Sequence, residues 1–307
     1  MLDITLLGCG GMLPLPERGL TALLARYNGR MLLIDCGEGT QVSLRALGQG
    51  FIGIDYLLFT HVHADHISGL PGLLLSLGNY GRTEPLTVIG PPGIERVVSA
   101  LRVIAPALPF SLSFMELKLK RGETAGFTLG EFQIAALGLD HGMPCIGYRI
   151  DIPRAGRFDP ERAQALELPV RFWSVLQRGE PVEHQGRFIL PEQVMGPPRR
   201  GLRVGYITDT RPMIQQAAAF MRGADLLIAE GLYGDEAFRE RAYGYYHMMF
   251  ADAARIAAEA GVGQLWLTHF SQALTNPAAD LPVATKIFAN TVVGRDRMSV
   301  VLRFDEE

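Results

Sequence analysis

Three imidazoles and one carboxylate fall within the six-residue run His61-Val62-His63-Ala64-Asp65-His66, in a chain with only seven histidines. Imidazole nitrogens and carboxylate oxygens together suit zinc or a similar first-row metal. Residues 54–59 just before the run read as an apolar strand. In an extended segment side chains two apart share a face, so His61 and His63 can grip one ion. Asp65 and His66 follow where the strand must break, and adjacent residues on a turn can aim at a second ion. A solvated histidine loop is the bland alternative. It does not account for the density, because a structural histidine usually stands alone whereas metal ligands must converge.

The elements that position this cluster are short apolar segments separated by glycine-rich turns, at 4–7, 22–27, 31–35 and 56–59. Helices are expected at 41–47, 70–77, 94–101 and 251–260, and a further strand at 86–89. Later strands are expected at 133–137, 146–150, 204–207, 225–229 and 265–267. Four of them run into a single reactive side chain: His141, Asp209, Glu230 and His269. Open α/β sheets place ligand and catalytic groups at such carboxyl ends.

With 307 residues, 48% of them hydrophobic, the chain can bury a sizeable core without disulfide staples. Cys9, Cys36 and Cys145 are isolated and odd in number, which fits a reduced, cytoplasmic compartment and argues against a cysteine metal site. Residues 1–7 read as a first strand, not as a signal peptide, and no apolar run is long enough to span a membrane. The glycines of Gly8-Cys9-Gly10-Gly11 more plausibly turn that strand over a site rim than cradle a phosphate, since no GxGxxG follows. The overall charge of −3 does not by itself suggest a nucleic-acid binder.

Residues 153–203 differ in character: they hold seven of the nineteen prolines and show no regular periodicity. Nine arginines against six acids give this stretch a charge of +3, leaving −6 on the rest. A basic insertion on an acidic body is an electrostatic handle for an anionic polymer; a solvated excursion with an accidental arginine excess is the alternative. Arg171 and Arg178 here, with Arg18 near the N-terminus, are candidates for substrate contact. Phe172, Trp173 and Phe188 either stack on bases or pack the base of the insertion.

In order and spacing, His61, His63, Asp65, His66, His141, Asp209 and His269 resemble the ligands of the dinuclear metallo-β-lactamase superfamily, whose HxHxDH motif is the opening run. The resemblance implies an α/β fold, a four-layer αββα sandwich formed as a single domain over residues 1–307. It implies two Zn2+ per subunit, one on His61, His63 and His141, the other on Asp65, His66 and His269, with Asp209 bridging. The same donors accept Mn2+ or Fe2+. Two ions about 3.5–4 Å apart would acidify a shared water to hydroxide at neutral pH.

Within that superfamily the chain looks like ribonuclease Z, the endonucleases that remove 3′ trailers from precursor tRNA. The similarity is carried by Asp35-Cys36-Gly37-Glu38-Gly39-Thr40-Gln41, Phe59-Thr60-His61, residues 65–73, Asp140-His141-Gly142, Asp209-Thr210-Arg211, Tyr245-Tyr246-His247 and Leu267-Thr268-His269-Phe270-Ser271. It implies the short bacterial form, a homodimer in which the flexible arm at 153–203 of one subunit holds tRNA for the other's site. It also implies that Glu230 and His247 form a pair protonating the leaving oxygen, and that Asp65 orients the hydroxide as well as binding metal. The pair is chemically sensible, since a carboxylate holding one imidazole nitrogen keeps the other available as a donor. The structural alternative is that His247 caps the next helix and Glu230 makes a salt bridge.

Some positions depart from the family pattern. Met248 and Met249 follow His247 where small hydroxyl residues are usual, and Thr208 replaces a glycine. The N-terminal loop keeps Pro14 and Arg18, with Pro16 and Gly19 in place of a lysine and an asparagine. Leu168-Pro169-Val170 keeps only the proline of the arm's Gly-Pro motif. None of these changes removes a metal ligand; they bear on the substrate, including discrimination against mature CCA ends. Two rival readings follow: a similar phosphodiesterase acting on another phosphodiester, and a tRNA-binding protein that keeps its metals for structure.

Overall fold

Leu2, Ile4 and Leu6 are fully buried, as the apolar N-terminal run requires. They lie in the first strand of a computed structural model that describes residues 1–48, 50 and 52–305. In chain order the first strands are β1 (Leu2–Gly8), β2 (Ala22–Tyr27), β3 (Arg30–Ile34), β4 (Ile54–Leu58), β5 (Leu86–Gly90) and β6 (Leu112–Glu116). There follow β7 (Thr124–Leu129), β8 (Phe132–Gly138), β9 (Ile146–Arg154), β10 (Val182–His184), β11 (Arg187–Ile189) and β12 (Arg199–Ile207). The last are β13 (Leu226–Glu230), β14 (Gln264–Thr268), β15 (Thr291–Val293) and β16 (Met298–Leu302).

The strands form two seven-stranded sheets, ordered β16-β1-β2-β3-β4-β5-β6 and β15-β14-β13-β12-β9-β8-β7. Each is mixed: antiparallel from β16 through β3 and from β7 through β9, and parallel over β3 to β6 and β12 to β15. Helices α1 (Thr40–Ala46), α2 (Ala64–Ile67), α3 (Leu70–Asn79) and α4 (Ile94–Leu101) belong to the first half. Leu44, Ile67, Leu70, Leu73, Leu77 and Val98 from them share one core with Leu24, Leu33, Leu57 and Val88 of the first sheet. The sheets meet through buried side chains, as where the Tyr148 hydroxyl donates to the Phe59 carbonyl at 2.8 Å. Helices on the outside and sheets within make the four-layer αββα sandwich.

β4 ends at Leu58, so His61 and His63 lie beyond the strand, and the expected strand alternation is not what aims them. The reason is local. The Phe59 N–H still donates to Ile89 in the ladder, but the Thr60 N–H turns to the Asp35 carboxylate at 2.8 Å, which ends the pairing. His63 is extended (φ −65°, ψ 153°) and starts α2, which carries Asp65 and His66.

The remaining helices are α5 (Pro160–Ala165), α6 (Trp173–Gln177), α7 (Ile214–Met221), α8 (Arg239–Gly244), α9 (Phe250–Ala260) and α10 (Pro277–Thr285). Ile152–Leu202, with the C-terminal residues from Phe304, make a second compact unit. Where no periodicity was legible, this unit holds α5, α6 and the hairpin β10–β11. Elements of three to six residues are too short to show a period. Its core is Ala163, Leu168, Leu176, Val182, Ile189 and Val194, and Phe172 and Trp173 pack against it, whereas Phe188 is 72% exposed. Among the described residues no helix is long and apolar enough to cross a membrane.

Candidate metal centre

The carboxyl ends of β3, β4, β8, β12, β13 and β14 deliver Asp35, the histidine run, His141, Asp209, Glu230 and His269 to one place. His63 Nδ1 lies 2.9 Å from His61 Nε2 and 3.2 Å from His141 Nε2. A second group faces it: His66 Nε2 and His269 Nε2 are 3.2 Å apart, and Asp65 Oδ2 is 3.3 Å from the latter. Asp209 stands between. Its Oδ1 is 3.1 Å from His66 and 3.2 Å from His269, and its Oδ2 is 3.7 Å from His61.

This donor set fits divalent cations. Ring nitrogens directed at one another need a proton or a cation between them, and the Asp209 Oδ1 atom is fully buried without a well-formed hydrogen bond despite those short approaches. Burial holds His61, His63 and His141 below the usual histidine range, in the neutral form a metal requires. Burial also opposes charge on His66 and His269. Asp209 with Asp35 outweighs it at His66, and Asp209 with Asp65 and Glu230 pushes His269 up to about 10. Burial likewise disfavours ionised Asp209, but His269, His66 and His61 hold it well below the carboxylate range.

Asp35, which ends the expected strand at 31–35 and opens the Asp35–Gln41 similarity, is a buried anchor of the site. It accepts the Thr60 N–H at 2.8 Å, the Thr60 hydroxyl at 2.9 Å and the His66 Nδ1–H at 2.9 Å. That last bond holds a proton on Nδ1, so Nε2, aimed at Asp209, is the nitrogen that a cation would take in place of a proton. Asp35 and His269 both adopt left-handed backbone (φ 60° and 56°), a conformation unfavourable for non-glycine residues and a common mark of functional sites. The loop after β1 does close over the rim. The Met12 N–H donates to Asp65 Oδ2 at 2.7 Å, and a Cβ on Gly11 would sit 2.7 Å from the His269 ring.

Glu230 is fully buried, and its two oxygens divide the work. One accepts the N–H groups of Thr210 and Met248 at 2.8 and 3.1 Å. The other meets His247 Nδ1 at 2.9 Å and lies 3.4 Å from His269 Nδ1, so one carboxylate supports both rings. Burial disfavours charge on His247, but Glu230 overrides it and raises its proton affinity. The capping alternative fails, because Met249 precedes α9 and its N–H takes the Asp252 carboxylate at 3.0 Å. Met248 and Met249 are fully buried, and Met249 packs with Leu232, Tyr233 and Ala242, so apolar filling occupies the positions where hydroxyls are usual.

A cleft of about 380 Å³ opens on His63, Asp65, His141, Asp209, His247 and His269. Arg241 and Tyr245 also line it. Neither carries a spacing signal in the sequence: Arg241 lies in no recognisable motif, and Tyr245 stands only within the Tyr245-Tyr246-His247 similarity, without a role of its own. Arg18 is occupied elsewhere, donating to the Ser271 and Leu274 carbonyls and lying over Phe270. Arg171 and Arg178 belong to the second compact unit, where Arg171 lies over Phe172 and Arg178 pairs with Glu180.

Residues 2–96 match the family described as Anti-Pycsar protein Apyc1, and residues 193–270 the Beta-lactamase superfamily domain. Over their full lengths, the chain and the ribonuclease Z of Clostridium kluyveri are 49% identical across 306 residues. The ribonuclease Z of Lachnoclostridium phytofermentans is 50% identical over 100% of this chain and 99% of its own. The crystal structure of human tRNase Z, short form, shares the fold, with a TM-score of 0.72 at 23% identity over 98% of this chain and 100% of that one. The chain therefore belongs to the ribonuclease Z family and is a metal-dependent phosphodiester hydrolase of that type, built on the metallo-β-lactamase fold.

Proposed function

We propose that this chain removes 3′ trailers from precursor tRNA. In this reading His61, His63 and His141 hold one zinc ion, Asp65, His66 and His269 hold another, and Asp209 is shared between them. The observation that carries the reading is two donor groups on either side of Asp209 with the Glu230–His247 contact of 2.9 Å beside them. When bound, the cations supply charge that acidifies water and polarises a phosphoryl oxygen.

The remaining work falls to the chain's own residues. Asp35 fixes the tautomer of His66. Backbone N–H groups hold Glu230 still, so its free oxygen orients His247 to give a proton to the departing 3′-oxygen. Asp65, tied to the Met12 N–H, is positioned to orient the attacking water. Residues 153–203, with nine arginines against six acids, serve as the tRNA-binding arm of a homodimer. Three buried unpaired thiols favour a reducing, cytoplasmic setting.

The test is cleavage of precursor tRNAs with and without CCA by metal-loaded protein. The expected product is a tRNA with a 3′-hydroxyl, lost in His63→Ala and in Asp209→Ala. Hydrolysis of bis(p-nitrophenyl) phosphate without any tRNA cleavage would overturn the reading in favour of another phosphodiester.

A further inference from the structure

The segment from α8 to His247 supplies the cleft with three side chains at once: Arg241, Tyr245 and His247. Its basic residues have different fates. Arg239 is consumed within the fold, paired with Glu236 and donating to the Tyr243 hydroxyl. Arg211 braces the turn from outside, donating to the Tyr243 carbonyl at 2.8 Å with its guanidinium 3.9 Å from the centre of the Tyr246 ring. Arg241 makes no ion pair or side-chain hydrogen bond among the described residues, although it is exposed and lines the same cleft as Asp65 and Asp209. Tyr245 is 67% exposed on the same turn.

The turn itself is well held. Its backbone runs through the bonds from the Tyr245 and His247 N–H groups to the Ala242 carbonyl, at 3.2 and 2.9 Å, and Tyr246 takes a left-handed φ of 64°. An unpaired guanidinium and an open aromatic face, presented on a braced turn, are the two groups that recognise a nucleic-acid strand: one takes a phosphate and the other a base.

We propose that Arg241 binds a phosphodiester next to the scissile one and that Tyr245 stacks on the adjoining base. Together they hold the nucleotide whose 3′-oxygen leaves. The side of the cut follows from His247: the group that protonates the leaving oxygen comes from the same turn, so its neighbours Arg241 and Tyr245 flank the leaving nucleotide. The proposal rests on the tRNA reading above.

The test measures binding of mature tRNA with a 3′-hydroxyl by fluorescence anisotropy across salt concentrations, alongside KM and kcat on precursor tRNA. Arg241→Gln should weaken Kd roughly tenfold and lower the slope of log Kd against log salt by about 1. Arg241→Lys should restore the slope and only part of the affinity, because an ammonium replaces the charge but not the fork. Tyr245→Leu should weaken Kd roughly tenfold with the slope unchanged, and Tyr245→Phe should match the wild type. Arg96→Gln, which removes a charge from the exposed face of α4, controls for net charge and should leave the slope unchanged. A wild type that cuts precursor tRNA while Arg241→Gln keeps both Kd and slope overturns the proposal. A wild type that hydrolyses bis(p-nitrophenyl) phosphate but neither binds nor cuts tRNA overturns the underlying reading, and this proposal with it.

Discussion

Replacing Asp35 by asparagine isolates the role of a buried carboxylate that touches no candidate cation itself. The side chain keeps its shape, but its hydrogen-bonding character changes on one side. Oδ1 accepts the Thr60 N–H at 2.8 Å, and Oδ2 accepts the His66 Nδ1–H at 2.9 Å. An amide has one acceptor oxygen. If that oxygen stays on Thr60, the NH2 group faces His66 and demands a lone pair at Nδ1. The proton then moves to Nε2, the atom 3.1 Å from Asp209 that must be unprotonated to bind a metal. If the amide flips, the NH2 group meets the Thr60 N–H and leaves a buried donor unsatisfied, at about 1–3 kcal/mol. Losing one charge-assisted bond costs a similar ~1.5–3 kcal/mol in the metal-free fold, which for a chain of this size lowers Tm by roughly 2–5 °C. Metal affinity at the His66 side should fall about 10–100-fold, the usual effect of losing such an outer partner. Competition with a chromophoric chelator reads the affinity, and calorimetry of the stripped protein reads the stability. Asp35→Asn protein that binds its second equivalent of zinc as tightly as wild type, with Tm unchanged, would refute the tautomer argument.

Other outcomes follow from the same geometry. Glu230→Gln should lower kcat by about 10²–10⁴ with little change in fold, because its oxygen can keep the Thr210 and Met248 N–H groups while its NH2 group no longer supports a charged His247; rapid-quench kinetics on saturating substrate check it. Gly11→Ala places a methyl 2.7 Å from the His269 ring and should cut zinc stoichiometry below that of wild type, measured by metal analysis after dialysis. Chelation should lower Tm, and zinc at a hundredfold excess over Kd should restore about 2.7 kcal/mol, measured by calorimetry with and without metal. Burial pushes the Cys36 thiol up to about 12 from an ordinary 9.0. The folded state thus keeps a proton that the unfolded chain releases above pH 9, so this contribution to stability is complete below pH 9 and lost as pH rises towards 12. Iodoacetamide at pH 8 should leave Cys36 unmodified until the chain is unfolded, as peptide mass spectrometry would show.

The parts of the site legible in the sequence are those whose residue types repeat or converge. His61, His63, Asp65 and His66 stand out because four donors in six positions are improbable without a common target. His141, Asp209, Glu230 and His269 stand out because each ends an apolar strand, and strand ends converge in a sheet. Asp35 also ends a strand, at β3, yet its role was hidden because it bonds to Thr60 and His66, 25 and 31 residues away, and such pairings leave no local pattern. The small unit from Ile152 was illegible for a different reason: its helices and strands are held by one shared core, not by amphipathic faces long enough to repeat. Arg241 was hidden by the opposite condition. An exposed arginine on a short helix looks like any solvated charge, and only the fold shows that Arg239, two residues earlier, is neutralised by neighbours while Arg241 opens on the cleft. Sequence spacing therefore reports donors that must meet one another, and is silent on groups that meet the substrate. That asymmetry is physical: ligands share a target inside the chain, so the chain must be patterned to bring them together, whereas a contact to RNA has its partner outside and requires only that nothing inside competes for it.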